Sequence, residues 1–429
     1  MWTGPRWCQH ADGGTDNRTI AGVPARLCRT PSPARLNAMP HQLLSYWQTP
    51  AAAIFALASL LSGLILSPPS PTSPGIAALA VFGPARPASQ TALPGVPEWL
   101  ADGTSPPEPS TSEVQEVADF FAHVTPDDVT RLAKRFPQIL GNLDGAPPKL
   151  RYTANQTGRS RFEERQILAY DNRGDGRIVE VVGDLDEAGR VAVLVPGVDT
   201  RLSNFDSGLG GVQRRAPAWQ ARMLLDQIRA IDRFRRVAVV AWLGYDPPEG
   251  LTGDVLREDR ADTGAAALDR FIDGLVVGRP ERSVVVIGHS YGSTVAGLAA
   301  ARLSDQVTDL VAIGSPGMGT DGIAGLRTTA RVWACAAPGD WIRRVPGVRL
   351  LGVGHGRLPS DPDFGALPLP CDDTEGHDGY FMPGTSSLRA LAAVAATGTE
   401  APADVRARLD VNTPQGSRTQ TGSRSETGS

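Results

Sequence analysis

Between residues 112 and 400 the apolar positions follow two alternating rhythms. Short runs rich in β-branched residues read as strands: Gln166–Tyr170, Arg177–Val182, Val191–Val195, Val237–Trp242, Val284–Ile287, Leu310–Ile313, Val332–Ala336 and Val348–Val353. The stretches between most of them carry apolar residues at helical spacing. Helices are predicted over Pro217–Ala230, Thr263–Leu275, a run of small residues from Thr294 to Ala301, and Ser386–Ala396. Strands separated by helices predict an α/β architecture: a mostly parallel sheet with helices on both faces. Ahead of the first strand, Val114, Val117, Phe120, Phe121 and Val124 recur at helical spacing. Thr125-Pro126-Asp127-Asp128 then offers an N-cap, a proline at the first helical position and acid in the first turn. That helix runs to about Phe136, and another starts at Pro148 and continues into the 160s. Together they predict a small helical lead-in packed on the sheet domain.

Outside this region the pattern changes character. Residues 1–40 are polar and without periodicity, and read as a disordered extension. No Lys, Arg, Asp or Glu lies between Arg35 and Arg86, and Ala51–Leu66 is a compact apolar run preceded by Arg26, Arg29 and Arg35. Residues 41–67 are therefore expected to be a membrane or signal segment, which places the protein at the membrane or outside the cytoplasm; a cytoplasmic location is the alternative. Residues 68–111 form a Pro-rich linker. The helical lead-in covers 112–165, the α/β catalytic domain 166–400, and a disordered polar tail 401–429. The formal net charge of −4 gives no reason to expect a nucleic-acid partner. Of the four cysteines, Cys8, Cys28, Cys335 and Cys371, none is spaced for zinc. Cys335 and Cys371 are expected either to pair as a disulfide or to remain two thiols.

One stretch concentrates the chemistry. The apolar run Val284–Ile287 ends abruptly in Gly288-His289-Ser290-Tyr291-Gly292, and a helix-compatible run follows at once. Strand, sharp turn and helix around a central serine predict a nucleophile elbow, in which a strained turn exposes the hydroxyl. Gly-x-Ser-x-Gly alone is a weak pattern in a Gly-rich chain, so the flanking strand and helix carry the reading. A serine needs a base to take its proton, and that base needs an acid to orient it. In chain order after the elbow, Asp340 follows the strand Val332–Ala336 in Ala337-Pro338-Gly339-Asp340, where an orienting acid belongs. Asp361, Asp363, Asp372 and Asp373 are the other loop carboxylates. Of the downstream histidines, His377 on the loop before the last helix is the preferred base and His355 the alternative. His289 is expected to serve packing. The oxyanion donors are predicted to be the backbone N–H of Tyr291 and, from the loop after Val191–Val195, that of Val198, with Asp199 next in line and its carboxylate turned away.

With these residues in view, the chain resembles an actinobacterial α/β-hydrolase family of unknown function. The resemblance rests on Phe136-Pro137, Gly141-Asn142-Leu143-Asp144-Gly145 with Pro147, Arg151 and Asn155, Trp242-Leu243-Gly244-Tyr245, Gly288-His289-Ser290-Tyr291-Gly292-Ser293, Gly314-Ser315-Pro316-Gly317, Ala337-Pro338-Gly339-Asp340 and Gly376-His377-Asp378-Gly379-Tyr380. It covers about residues 112–398 and implies an α/β-hydrolase fold with Ser290, Asp340 and His377 as the triad. The apolar segment near the N-terminus and the Cys371 region before His377 depart from it.

The expected function is that of a serine hydrolase cleaving a carboxylic ester, with a small-molecule ester or a lipid-like compound as substrate and the membrane as partner through the N-terminal segment. No cofactor or metal site is read from the sequence; Asp372-Asp373-Thr374-Glu375 is expected to be a solvated acidic loop. A membrane-tethered, non-catalytic ligand-binding protein and a transacylase are the alternatives. A serine, an acid and a histidine in this order argue against the first, and the second would need an acceptor site and water exclusion, neither of which the sequence shows.

Overall fold

The computed structural model describes residues 113–122, 125–250, 255, 257–349 and 353–397. The predicted extension, the apolar segment 41–67, the Pro-rich linker and the C-terminal tail lie outside these residues. Among the described residues no helix is long and apolar enough to cross a membrane.

Four helices open the described chain: α1 (Val114–Ala122), α2 (Pro126–Arg135), α3 (Pro137–Leu140) and α4 (Pro148–Gln156). They enclose a small core of Val117, Phe121, Ala133, Leu140, Leu143, Leu150 and Ala154. The helix predicted to run from Pro148 into the 160s ends at Gln156, and Gly158 follows with φ 71°, a left-handed conformation that favours glycine. The lead-in is joined to the first strand, β1 (Gln166–Asp171), by side-chain hydrogen bonds. Asn142 Nδ2 donates to the Tyr170 carbonyl and its Oδ1 accepts from the Tyr170 N–H, at 3.0 and 2.8 Å. Arg151 Nε donates to Leu168 O and Asn155 Nδ2 to Ile167 O.

The sheet continues with β2 (Arg177–Val182), β3 (Arg190–Val195), α5 (Pro217–Ile231), β4 (Val237–Leu243), α6 (Asp259–Val276), β5 (Ser283–His289), α7 (Tyr291–Ala299), β6 (Val307–Ile313), α8 (Ile323–Leu326), β7 (Arg331–Cys335), β8 (Leu367–Pro368) and α9 (Ser386–Thr397). Strand order is β1-β2-β4-β3-β5-β6-β7-β8. β1, β2 and β4 pair antiparallel, and every pair from β4 to β8 is parallel. This eight-stranded, mostly parallel sheet flanked by helices is an α/β-hydrolase fold. The predicted strand Val348–Val353 is a correction. Residues 346–349 are not strand, and Val353 makes only an isolated antiparallel bridge to Arg257.

All residues of β3 and β4 are buried, as expected of parallel strands covered on both faces. Alternation sorts their side chains between two cores. Val191, Val193, Val284 and Val286 meet Leu268 and Ile272 of α6 and Val295 of α7. Ala192, Leu194, Val285 and Ile287 face Leu224 and Ile228 of α5 and Leu388 and Leu391 of α9. Burying one such aliphatic side chain is worth about 1.5–3 kcal/mol. At the N-terminal end of the parallel strands, Asp309 is fully buried and bonded to Arg190, Arg331, Thr308 and Trp333. Arg190 also donates to the carbonyls of Val394 and Ala395, the last turn of α9. A cation at this helix end matches the helix dipole.

From β3 the chain moves outward to β4, then crosses back over β3 to β5 and continues the other way. The loops after β3 and β5 therefore diverge and open a crevice at the C-terminal ends of adjacent strands.

Candidate active site

Ser290 stands in that crevice, between β5 and α7. Its backbone has φ 54° and ψ −129°, a combination that L-residues adopt only at a cost of about 1–3 kcal/mol. The turn is held by hydrogen bonds on both sides. The Ser290 N–H donates to Ile313 O at 3.0 Å, and its carbonyl accepts from the Ser293 N–H at 2.9 Å and from Ser293 Oγ at 2.5 Å. Ser315 Oγ lies 2.6 Å from Ser293 Oγ, extending the brace to the loop after β6. The two elbow glycines are there for space. A Cβ at Gly288 would lie 2.4 Å from Ser293 Cα, and one at Gly292 would lie 2.2 Å from Val195 O.

Asp340 follows β7 and caps the short 3-10 turn Trp341–Arg344, its Oδ1 accepting from the Ile342 N–H at 2.9 Å. The carboxylate is buried, and His377 Nδ1 lies 2.9 and 3.0 Å from its two oxygens. Because a carboxylate only accepts, this partner assigns a proton to Nδ1, so that in the neutral ring the lone pair is on Nε2. Burial pulls the Asp340 pKa upward, but the hydrogen bonds and charge of His377, with the Tyr380 and Ile342 donors, outweigh it and hold the carboxyl below its ordinary value.

Ser290 and this pair meet across Gly314, the residue after β6. A Cβ on Gly314 would lie 3.0 Å from Asp340 Oδ2 and 3.1 Å from His377 Cε1, and the residue before it, Ile313, is the one bonded to Ser290. Among the described residues no hydrogen bond joins Ser290 Oγ to His377; such contacts are often long in unliganded sites. Three rings pack around the His377 imidazole or its neighbours. Trp341 and His289 are each 4.9 Å from it, centroid to centroid, and Tyr380 is 5.8 Å from His289. His289 Nε2–H donates to the His377 carbonyl at 2.9 Å, and desolvation, with His377 next, lowers the His289 pKa to about 4. Arg215 Nε meets Asp378, beside His377, at 2.6 Å.

The alternative groups go elsewhere. His355 Nε2 donates to Val255 O at 2.7 Å, and its buried ring stands edge-on to Tyr291. Asp361 caps a 3-10 turn, Asp363 pairs with Arg357, and Asp373 accepts from the Ser386 N–H and hydroxyl at the start of α9. Asp372 is exposed and its carboxylate takes no part in the His377 network. Cys335 and Cys371 are buried free thiols, the second of the two states expected of them; burial pushes the Cys335 thiol pKa well up.

Of the two oxyanion candidates, Tyr291 begins α7, immediately after Ser290. Val198 lies on the loop after β3, where a Cβ on the preceding Gly197 would stand 3.2 Å from Ser290 Oγ. Asp199 has its N–H bonded to Pro248 O and its Oδ1 to the Gly250 N–H, which removes it as a donor and turns its charge away from the serine. Tyr380, Trp341 and Gly314 were not singled out as site residues by sequence. Tyr380 carried one signal, its place in Gly376-His377-Asp378-Gly379-Tyr380. Among the described residues no group of three or more His, Cys, Asp or Glu is placed to hold a metal ion.

Residues 171–350 match a protein-family model described as alpha/beta hydrolase. An uncharacterized protein of Mycobacterium tuberculosis is 39% identical over 157 residues, which is 35% of this chain and 57% of the relative. A second from the same organism is 28% identical over 269 residues, 53% of this chain and 39% of the relative. The chain thus spans little more than half the length of the first of these relatives, and less of the second. An α/β serine hydrolase without lid from Xanthomonas campestris is 17% identical, with a TM-score of 0.32 over 55% of this chain and 94% of that one. A dienelactone hydrolase from Anabaena variabilis is 17% identical, with a TM-score of 0.33 over 55% of this chain and 96% of that one.

Proposed function

We propose that this protein is a serine hydrolase that cleaves a carboxylic ester through an acyl-enzyme on Ser290. The observation that carries the reading is the Asp340–His377 pair, closed by two short contacts and set across Gly314 from a serine held at positive φ. In the first half-reaction Ser290 Oγ attacks the ester carbonyl carbon and its proton passes to His377 Nε2. Asp340 keeps the Nδ1 proton in place and stabilises the imidazolium. The N–H groups of Tyr291 and Val198 receive the developing oxyanion, each such donor being worth about 10²–10³ in rate. Collapse of the tetrahedral adduct breaks the bond to the alkoxy oxygen, which leaves as the alcohol with the proton from His377. Water then attacks the acyl carbon, gives its proton to His377, and the acid departs as that proton returns to Ser290.

The test is labelling of the full chain by a fluorophosphonate, which phosphonylates an activated serine. Labelling of the parent that is abolished in Ser290→Ala and reduced at least about a hundredfold in His377→Ala is the expected result. Recovery of the labelled protein with the membrane fraction would in addition support attachment through residues 41–67. A folded parent that fails to label would overturn the hydrolase reading in favour of a ligand-binding protein. Labelling retained in His377→Ala would remove His377 as the base.

A further inference from the structure

Tyr380 has no part in the steps above, yet its hydroxyl makes the shortest contact to Asp340. It lies 2.6 Å from Asp340 Oδ2, while Ala337 N–H donates to the same hydroxyl at 3.0 Å. The backbone donor occupies the phenol's acceptor side, so the single phenolic proton is aimed at the carboxylate. The ring is 1% exposed, and its Cε2 lies 3.1 Å from where a Cβ on Gly314 would be. Its own carbonyl accepts from Ser387 Oγ at the start of α9. Rotating the phenol away would break its bonds to Asp340 and from Ala337.

Asp340 therefore divides its negative charge among His377 Nδ1–H, the Tyr380 hydroxyl and the Ile342 N–H. A carboxylate with a strong extra donor attracts a neighbouring imidazolium less. We propose that Tyr380 is a positioning residue that fixes the Asp340 carboxylate and, by sharing its charge, limits the basicity of His377. The proposal rests on the reading of Ser290, His377 and Asp340 as a triad. Burial and the adjacent Asp340 charge raise the Tyr380 pKa far above the ordinary phenol value, so the hydroxyl stays a donor through the working pH range. The other titratable groups facing His377 are His289, from the end of β5, and Asp378 on its own loop, which Arg215 neutralises. None of these reaches Asp340 by hydrogen bond, which leaves Tyr380 as the side chain that can tune the acid directly.

The experiment compares the parent, Tyr380→Phe and a protein carrying 3,5-difluorotyrosine at position 380, all as the full chain. His377 ring resonances are identified by their loss in His377→Gln and followed by NMR against pH. In parallel, the rate of fluorophosphonate labelling is measured from pH 5 to 9. Tyr380→Phe removes the donor, so the His377 ring is expected to titrate about half to one pH unit higher. The acid limb of the labelling profile should move to higher pH by the same amount. Difluorotyrosine is a stronger donor only slightly larger than tyrosine, and the titration is expected to move the opposite way. Unchanged His377 titration in Tyr380→Phe, or a shift of the same sign in both variants, would mean a packing role and overturn the proposal. The ring titration is read without any activity. A parent that does not label thus refutes the triad reading, while the NMR result still decides the effect of Tyr380 on the Asp340–His377 pair.

Discussion

His289 separates the acid stability of this protein into a part that can be removed. Its ring is wedged between His377 and Tyr380, and its Nε2 proton is committed to the His377 carbonyl. Desolvation first, and the neighbouring His377 second, take its pKa from the ordinary 6.5 to about 4. The folded state thus resists protonation of this ring while the unfolded chain accepts it. Stability held by neutral His289 is complete above about pH 6.5 and is lost as the pH falls toward 4. At about 1.4 kcal/mol per pH unit, the loss amounts to about 3 kcal/mol. His289→Gln retains an N–H for the His377 carbonyl and cannot titrate. Urea denaturation of parent and variant at pH 7.5 and pH 4 measures the difference. At pH 7.5 the variant should be weaker by about 1 kcal/mol, mainly from lost ring contacts. On going to pH 4 the parent should lose about 3 kcal/mol more than the variant. His355, whose pKa is also lowered by burial, contributes equally to both and cancels. Equal losses in the two proteins would refute the reasoning.

Two further outcomes follow from the geometry. Gly314→Ala puts a methyl group 3.0 Å from Asp340 Oδ2 and 3.1 Å from His377 Cε1 at a φ of 55°, so fluorophosphonate labelling should slow at least about tenfold while thermal denaturation shows a loss of about 1–2 kcal/mol. Labelling at the parent rate would place the pair elsewhere. Asp309→Ala leaves Arg190 buried without its anion and should lower stability by about 3–5 kcal/mol in urea denaturation, while the folded fraction labels at the parent rate, because this cluster lies at the opposite end of the strands from Ser290.

Much of this was legible in the sequence because it depends on local pattern. Arg177–Val182 is the strand its β-branched run predicts, and Val237, Leu310 and Val332 fall within strands whose ends shift by a few residues. The elbow was readable because strand, glycine spacing and helix are contiguous. The order of Ser290, Asp340 and His377 pointed to residues of which the last two do bond to each other. What failed was local signal with a non-local cause. Val348–Val353 carries strand-like residues, but β7 is flanked instead by Leu367–Pro368, a pair too short and too proline-bound to be recognised. Asp373 is solvent-exposed, as its acidic loop suggests, but the bond it accepts from the Ser386 N–H could not be read from the sequence. Tyr380 could not be linked to Asp340 by spacing, since the two are forty positions apart and meet only in the folded chain.

The hydrogen bonds that fasten the lead-in have one further effect. β1 is the last strand on its side of the sheet, and such a strand invites pairing with another chain. Here the Tyr170 N–H and carbonyl are taken by one amide side chain, and the carbonyls of Ile167 and Leu168 by Asn155 and Arg151. These side chains occupy the positions that an incoming strand would use. At the far margin β8 has two residues, one of them a proline that cannot donate. Both margins of the sheet thereby offer little for another strand to pair with, one because the lead-in lends it side chains and the other because it is short. Removing residues 113–156 would not only discard a small core; it would uncover a template for aggregation.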